Sequence, residues 1–183
     1  MRILIAEDES IIRLGLKAML SELSHEVFVA KDGHDVLAKA RINRPDMAIL
    51  DIMTPFADGL ETTVALASKH PMPVILMTGF SDHDLIERAV ALPIHGYLIK
   101  PIQLPELEAA IAVAISRFQE TRELEKRIAE LEYALETRKL VDRAKGQLMA
   151  LGMSEAKAFR TIQDRARRTR KSMQEVSLAI LGE

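Results

Sequence analysis

The first hundred residues carry five short apolar runs, Arg2 to Ala6, Glu26 to Ala30, Met47 to Leu50, Val74 to Met77 and Gly96 to Ile99. The spacing leaves room for one helix between each pair, and this alternation constrains the fold more than any other feature of the chain. Parallel strands need long, right-handed crossovers, so strands alternating with helices build an open parallel sheet covered on both faces. The helical stretches show the matching repeat. Ile12, Leu16, Met19, Leu20 and Leu23 form one stripe, and Leu104, Leu107, Ile111, Ile115 and Phe118 another. The expectation is an α/β domain with a doubly wound, five-stranded parallel sheet.

Such sheets hold their chemistry beyond the carboxyl ends of the strands, in the crevice where the strand order reverses. Glu7 and Asp8 follow the first run, Asp51 ends the third in LDIMTPFADG, Thr78 ends the fourth, and Lys100 ends the fifth in YLIKP. Three carboxylates near one point repel one another unless a cation joins them. Hard oxygens suit Mg²⁺, which takes few protein ligands and keeps room for water and phosphate. A carboxylate set between a divalent cation and a lysine is an activated nucleophile towards phosphorus, because both cations neutralise charge on the transferring oxygens. The set describes a phosphoryl-accepting aspartate. Asp46 is expected to be a strand-start residue with no chemistry. The histidines at 25, 34, 70, 83 and 95 show no pair at helical metal-ligand spacing and are expected at the surface. There is no Ser-His-Asp hydrolase signature and no Gly-rich nucleotide loop.

After Pro105 no proline occurs again. Leu124, Ile128, Leu131 and Leu135 follow a 4-3-4 spacing with charged residues between them, as in a coiled-coil seam, one residue out of phase with the Phe118 stripe. A long helix continuing the last helix of the sheet domain is predicted, with a dimer contact along this seam. Two further helices are predicted, starting at Ser154 and at Ser172, the second with capping-box spacing to Glu175. Charge follows the same division. Residues 1 to 136 hold 14 basic and 22 acidic side chains, whereas 137 to 183 hold 11 basic and 5 acidic. A basic tail behind an acidic body points to an anionic partner such as nucleic acid, the alternative being a solvated helix face. Arg138, Lys139, Arg143 and Lys145 fall within two helical turns, and Arg165, Arg167, Arg168, Arg170 and Lys171 cluster at the next junction. Beyond Phe118 the aromatics are Tyr133 and Phe159; Phe159 is expected in the core beside Ala158 and Ile162, which argues against a stacking platform for single strands.

The acidic pair, Asp51, Thr78 and Lys100, with Pro55, Asp58-Gly59 and Lys100-Pro101 beside them, resemble the receiver domain of bacterial two-component response regulators over about residues 1 to 118. The resemblance implies a flavodoxin-like receiver in which Asp51 takes a phosphoryl group from a histidine kinase. Glu7, Asp8, Asp51 and the Met53 backbone carbonyl would hold Mg²⁺. Thr78 would bond a phosphoryl oxygen, Lys100 would pair with the phosphate, Tyr97 would be the aromatic switch, and Lys100-Pro101 would be cis. From about Leu124 to Leu181 the chain is similar to the ANTAR domain, a three-helix RNA-binding output of transcription antitermination regulators. The likeness rests on Ala134-Leu135, Arg138, Arg143-Ala144-Lys145-Gly146 with Leu148-Met149, Ser154-Glu155-Ala156 with Ala158-Phe159, and Glu175-Val176. It departs at Arg167, where that family often has Met. By this resemblance the helices recognise paired RNA hairpins, with Arg138, Arg143, Lys145 and Gly146 as the leading contacts, and a coiled-coil homodimer brings two such units together. For Ala144 and Gly146, helix packing is an equal expectation.

The expected organisation is a receiver at 1–118, a coiled-coil linker helix at 119–136, and an ANTAR unit at 124–183 that overlaps the linker. The expected role is a response regulator and not an enzyme, although a receiver assists its own phosphotransfer and dephosphorylation. Alternatives are a DNA-binding regulator and a receiver with a protein-interaction output. The chain has no Cys, which excludes disulfides and thiolate sites and fits a reducing compartment. The opening MRILIAEDES turns acidic too soon for a secretory signal, and no uncharged stretch is long enough for a membrane helix, so a cytoplasmic protein without a membrane partner is expected.

Overall fold

A computed structural model describes residues 1–52, 59–79 and 92–182. The five apolar runs are strands: β1 (Arg2–Ala6), β2 (Glu26–Ala30), β3 (Met47–Asp51), β4 (Val74–Thr78) and β5 (Gly96–Ile99). All pair in parallel, in the order β2-β1-β3-β4-β5, so neighbouring β1 and β3 are where the winding reverses. The described helices are α1 (Ser10–Glu22), α2 (Gly33–Asn43), α3 (Gly59–Lys69), α4 (Leu104–Ala150), α5 (Glu155–Thr169) and α6 (Met173–Leu181). The helix expected between β4 and β5 falls outside the described residues.

Two clusters of buried side chains show why the sheet needs helices on both faces. Successive strand residues point to opposite sides. Leu4, Ala48, Leu50 and Leu76 pack with Val36 and Ala40 of α2 and Leu66 of α3. Ile3, Ile5, Ile49, Ile75 and Met77 pack with Leu16 and Leu20 of α1 and with Leu107, Ile111 and Ala114 of α4. The strands therefore read as near-continuous apolar runs, as buried parallel strands must.

The chain divides into two compact units, Met1–Thr121 and Arg122–Glu183. In the second, Val141, Ala144 and Leu148 of α4 meet Ala158, Ile162 and Ala166 of α5 and Val176 of α6. That core is thin, since three of its seven residues are Ala. Both predicted helix starts are present. Ser154 accepts a hydrogen bond from the Lys157 amide at the start of α5, and Ser172 and Glu175 form a reciprocal capping box at α6. The one-residue slip between the Phe118 stripe and the Leu124 seam occurs within a continuous helix. No described helix is long and apolar enough to cross a membrane.

Candidate functional site

The carboxyl ends of β1, β3, β4 and β5 bring Glu7, Asp8, Asp51, Thr78 and Lys100 to one edge of the sheet. Asp51 is the last residue of β3, in register with Met77, and its side chain is almost fully buried. Lys100 sits just past β5, anchored by its own amide donating to the Thr78 carbonyl (2.9 Å). From there its ammonium reaches Asp51 Oδ2 at 3.0 Å and Glu7 Oε2 at 2.7 Å. Glu7 Oε1 accepts the Glu9 amide at 3.0 Å. At Oε2 the ammonium contact is an ion pair without good hydrogen-bond alignment. The Thr78 hydroxyl donates to the Gly79 carbonyl at 3.2 Å.

The electrostatics follow from burial. Burial pushes the Glu7 carboxyl above its ordinary range; the close Lys100 ammonium and the Glu9 amide oppose this, and the nearby Asp51 charge adds to it. Burial alone would lower the Lys100 ammonium, but bonding to Glu7 and Asp51 outweighs it and holds the lysine charged beyond its usual range. Oxygens of Glu7, Asp8 and Asp51 lie within 4.8 Å of one another, and Asp8 is exposed while the other two are buried. Two sealed acids and one facing solvent form a hard-oxygen set with an open side, which fits Mg²⁺.

One positioning residue carried no readable signal in the sequence. Arg13 of α1 donates to the Glu7 carbonyl (2.9 Å), the Asp8 carbonyl (3.0 Å) and the Ser10 hydroxyl (2.9 Å), fixing the loop that presents both acids. Nothing in an isolated arginine five residues after an aspartate announces that role. Met53 lies outside the described residues. Tyr97 is half-buried against the α2–α3 side of the core, and burial raises its hydroxyl pKa. The Lys100-Pro101 bond is cis. Asp46 accepts the Arg2 amide at 2.7 Å and pairs with its guanidinium at 3.1 Å, a structural tie at the start of β3. His95 corrects the expectation of surface histidines: it is buried, accepts the Val74 amide at Nδ1 (3.2 Å), and meets Phe118 edge-on at 5.2 Å. Its place just before β5 puts it under α4.

In the second unit the four expected contacts part company. Arg138 and Arg143 are exposed on α4. Lys145 is held by Asp142 and Glu155, each at 2.9 Å, so its charge is locally balanced and it ties α4 to α5. Ala144 is fully buried in the core, as packing requires, whereas a Cβ at exposed Gly146 would meet nothing. Packing explains Ala144 and does not explain Gly146. Arg165, Arg167, Arg168, Arg170 and Lys171 are exposed; Arg167 and Arg168 lie in the last turn of α5, where cations also suit the helix dipole. Phe159 is the second correction. Ala158, Ile162 and Ala166 form the buried 4-4 stripe, and Phe159, one residue round the helix, falls outside it and stays 39% exposed.

A parallel sheet in this order, with buried acids and a lysine converging at its switch point, defines a receiver-type domain. Residues 3–112 match the response regulator receiver domain family, and residues 129–181 match the ANTAR domain family. The chain belongs to the response regulator receiver family and carries an ANTAR output domain. Among curated relatives, it is 44% identical to the transcriptional regulatory protein PdtaR of Mycobacterium tuberculosis, covering 99% of this chain and 91% of that one. Among solved structures, a signal receiver domain of a modulated diguanylate cyclase from Desulfovibrio desulfuricans matches with TM-score 0.61 and 32% identity, covering 66% of this chain and 97% of that one. A response regulator receiver domain from Clostridium thermocellum matches with TM-score 0.60 and 30% identity, covering 66% and 98%. The chain is a two-component response regulator with an ANTAR-type output.

Proposed function

We propose that a histidine kinase phosphorylates Asp51 and that this favours a homodimer which binds RNA hairpins and prevents a terminator from forming. One observation carries the reading: a lysine-bridged pair of buried acids at a receiver switch point, in the same chain as an ANTAR domain. We divide the chain into a receiver at 1–118, a linker helix at 119–136 and an RNA-binding unit at 124–183.

In the reaction an Asp51 carboxylate oxygen attacks the phosphorus of a phosphohistidine. The phosphorus–nitrogen bond breaks and the imidazole leaves. Lys100, already charged and within 3.0 Å of Asp51, pairs with the incoming negative charge, and Thr78 turns its hydroxyl to a phosphoryl oxygen. Glu7, Asp8 and Asp51, with the Met53 carbonyl, would hold Mg²⁺, which supplies charge neutralisation to the transferring oxygens. The added charge, close to −2, draws Lys100 and Thr78 to the phosphoryl group and reshapes the surface around Tyr97. Later attack by water on the phosphorus breaks its bond to the Asp51 oxygen, releasing inorganic phosphate and returning the carboxylate. The chain acts only on its own phosphoryl group.

Dimerisation is supported by Leu124, Ile128, Leu131 and Leu135, all exposed along α4 of the second unit, whose own core is thin. Covering that seam with a second copy buries apolar surface the unit cannot bury alone and brings two RNA-binding units together, raising avidity for two linked hairpins. Arg138, Arg143, Lys145 and Gly146 are the proposed contact region, and the cytoplasm is the proposed compartment.

The test is a titration of the protein, with and without beryllofluoride and Mg²⁺, against a tandem-hairpin RNA and a duplex DNA at two salt concentrations. Salt-sensitive RNA binding strengthened by beryllofluoride is expected. Preference for the duplex would assign a DNA output, and no binding to either nucleic acid would assign a protein-interaction output.

A further inference from the structure

Tyr133 and Phe159 are the two aromatic residues beyond Phe118, 26 positions apart, and the fold sets both in one groove of about 620 Å³ between α4 and α5. Thr137, Arg138, Asp142, Lys145 and Met173 also line it. We propose that this groove takes an unstacked nucleobase from a single-stranded RNA segment, with its ring on the aromatic walls and the adjoining phosphate on Arg138. The proposal rests on the RNA-binding reading and gives it a site.

Four features support that occupant. Both rings are accessible, Tyr133 being 54% and Phe159 39% exposed. Among the described residues the one ring pair is His95 with Phe118, so neither groove ring is engaged with another. The groove's charge is uneven. Lys145 is balanced by Asp142 and Glu155, which leaves Arg138 as the wall's cation for a phosphate, and a guanidinium suits that geometry. The volume lies in the range of small-ligand sites. A flat π-face and a cation in one cleft match a nucleotide, not a purely apolar side chain.

Tyr133 and the dimer seam lie on different sides of α4, whereas Arg138, seven residues after Leu131, continues the line of the seam past its last leucine. At about 100° per residue, Tyr133 is rotated about 200° from both Leu131 and Leu135. A dimer closed on Leu124, Ile128, Leu131 and Leu135 therefore leaves the Tyr133 ring of each copy open.

The experiment uses the full chain with beryllofluoride and Mg²⁺ and a tandem-hairpin RNA in which each loop nucleotide in turn is made abasic. One abasic position is expected to weaken wild-type binding by about tenfold, the scale of one base–aromatic stack. Tyr133→Ala should lose about as much on intact RNA and little more on that abasic RNA, while Tyr133→Phe retains binding. Phe159→Leu, which keeps apolar volume without a ring, should behave like Tyr133→Ala, with circular dichroism confirming that each variant is folded. A 2-aminopurine at the sensitive position should be quenched by the wild type and not by Tyr133→Ala. If RNA binds but the losses from the abasic site and from Tyr133→Ala add, or no position is sensitive, the groove is not a base site and the RNA reading survives. If a folded wild type binds no RNA, both fall together.

Discussion

Each unit of this protein holds a lysine between two carboxylates, and the two arrangements differ in one respect. Lys100 (17% exposed side chain) bridges Glu7 and Asp51, whose side chains are 0% and 5% exposed. Lys145 (19% exposed) bridges Asp142 and Glu155, which are 56% and 68% exposed. The lysines are equally covered, so the burial of the acids separates the cases. In the receiver, water cannot solvate the carboxylates, and their repulsion must be met by Lys100 or a metal ion. At the α4–α5 junction water and salt do the same work, and the triad acts mainly as a geometric tie. Similar distances therefore describe a reactive centre in one unit and a surface clasp in the other.

The sharpest break of this comparison is chemical. Asp51→Asn should abolish acyl-phosphate formation from acetyl phosphate and Mg²⁺, followed on a phosphate-affinity gel, while Glu155→Gln leaves it intact. Label persisting in Asp51→Asn would remove the reactive centre from this edge of the sheet. Next in size is stability. Lys100→Met leaves two buried acids without their cation and should lower the unfolding free energy by on the order of 3 kcal/mol in urea titrations. Lys145→Met should move the midpoint only slightly, and raising salt should shrink even that difference. Equal losses in the two variants would show that burial of the acids does not decide the matter.

A smaller effect separates packing from contact on α4. Gly146→Ala fills open space in a helix and should stabilise the second unit by about 1 kcal/mol while weakening RNA binding. Unchanged binding would take Gly146 out of the contact region. The smallest effect concerns His95. Burial, with Arg117 adding to it, lowers its pKa from the ordinary 6.5. Above about pH 6.5 the ring is neutral in both folded and unfolded chains and contributes no slope. Below that, the unfolded chain takes up the proton first, so stability falls with pH until the lowered folded value is reached. His95→Asn should flatten this part of the stability–pH curve, and an unaltered curve would locate the slope elsewhere.

Much of this was readable in the residues. Strand positions follow from apolar runs bounded by turn signals, and Ser154 and Ser172 declare helix starts through local capping chemistry. Asp51, Thr78 and Lys100 each close a run, so the sheet's topology alone predicts that they converge. Arg13 escaped because its ties to the two acids run through their backbone carbonyls, which no side-chain pattern marks. His95 escaped because its burial comes from α4 crossing over it, a long-range event. Phe159 was misplaced because its neighbours Ala158 and Ile162 define the core stripe, and an aromatic next to such a stripe has no local reason to point away.

The sequence by itself determined the apolar runs that become strands, the period close to four of the helices, and the order of chemistry-bearing residues along the sheet edge. Those are short-range consequences of backbone geometry and apolar patterning. Only the tertiary structure decided which charges are sealed from water, that Lys145 is balanced by two acids while Arg138 has no ion pair among the described residues, and that Tyr133 and Phe159 share a groove. Burial and pairing depend on surfaces brought together from distant parts of the chain, and spacing along the sequence does not encode them.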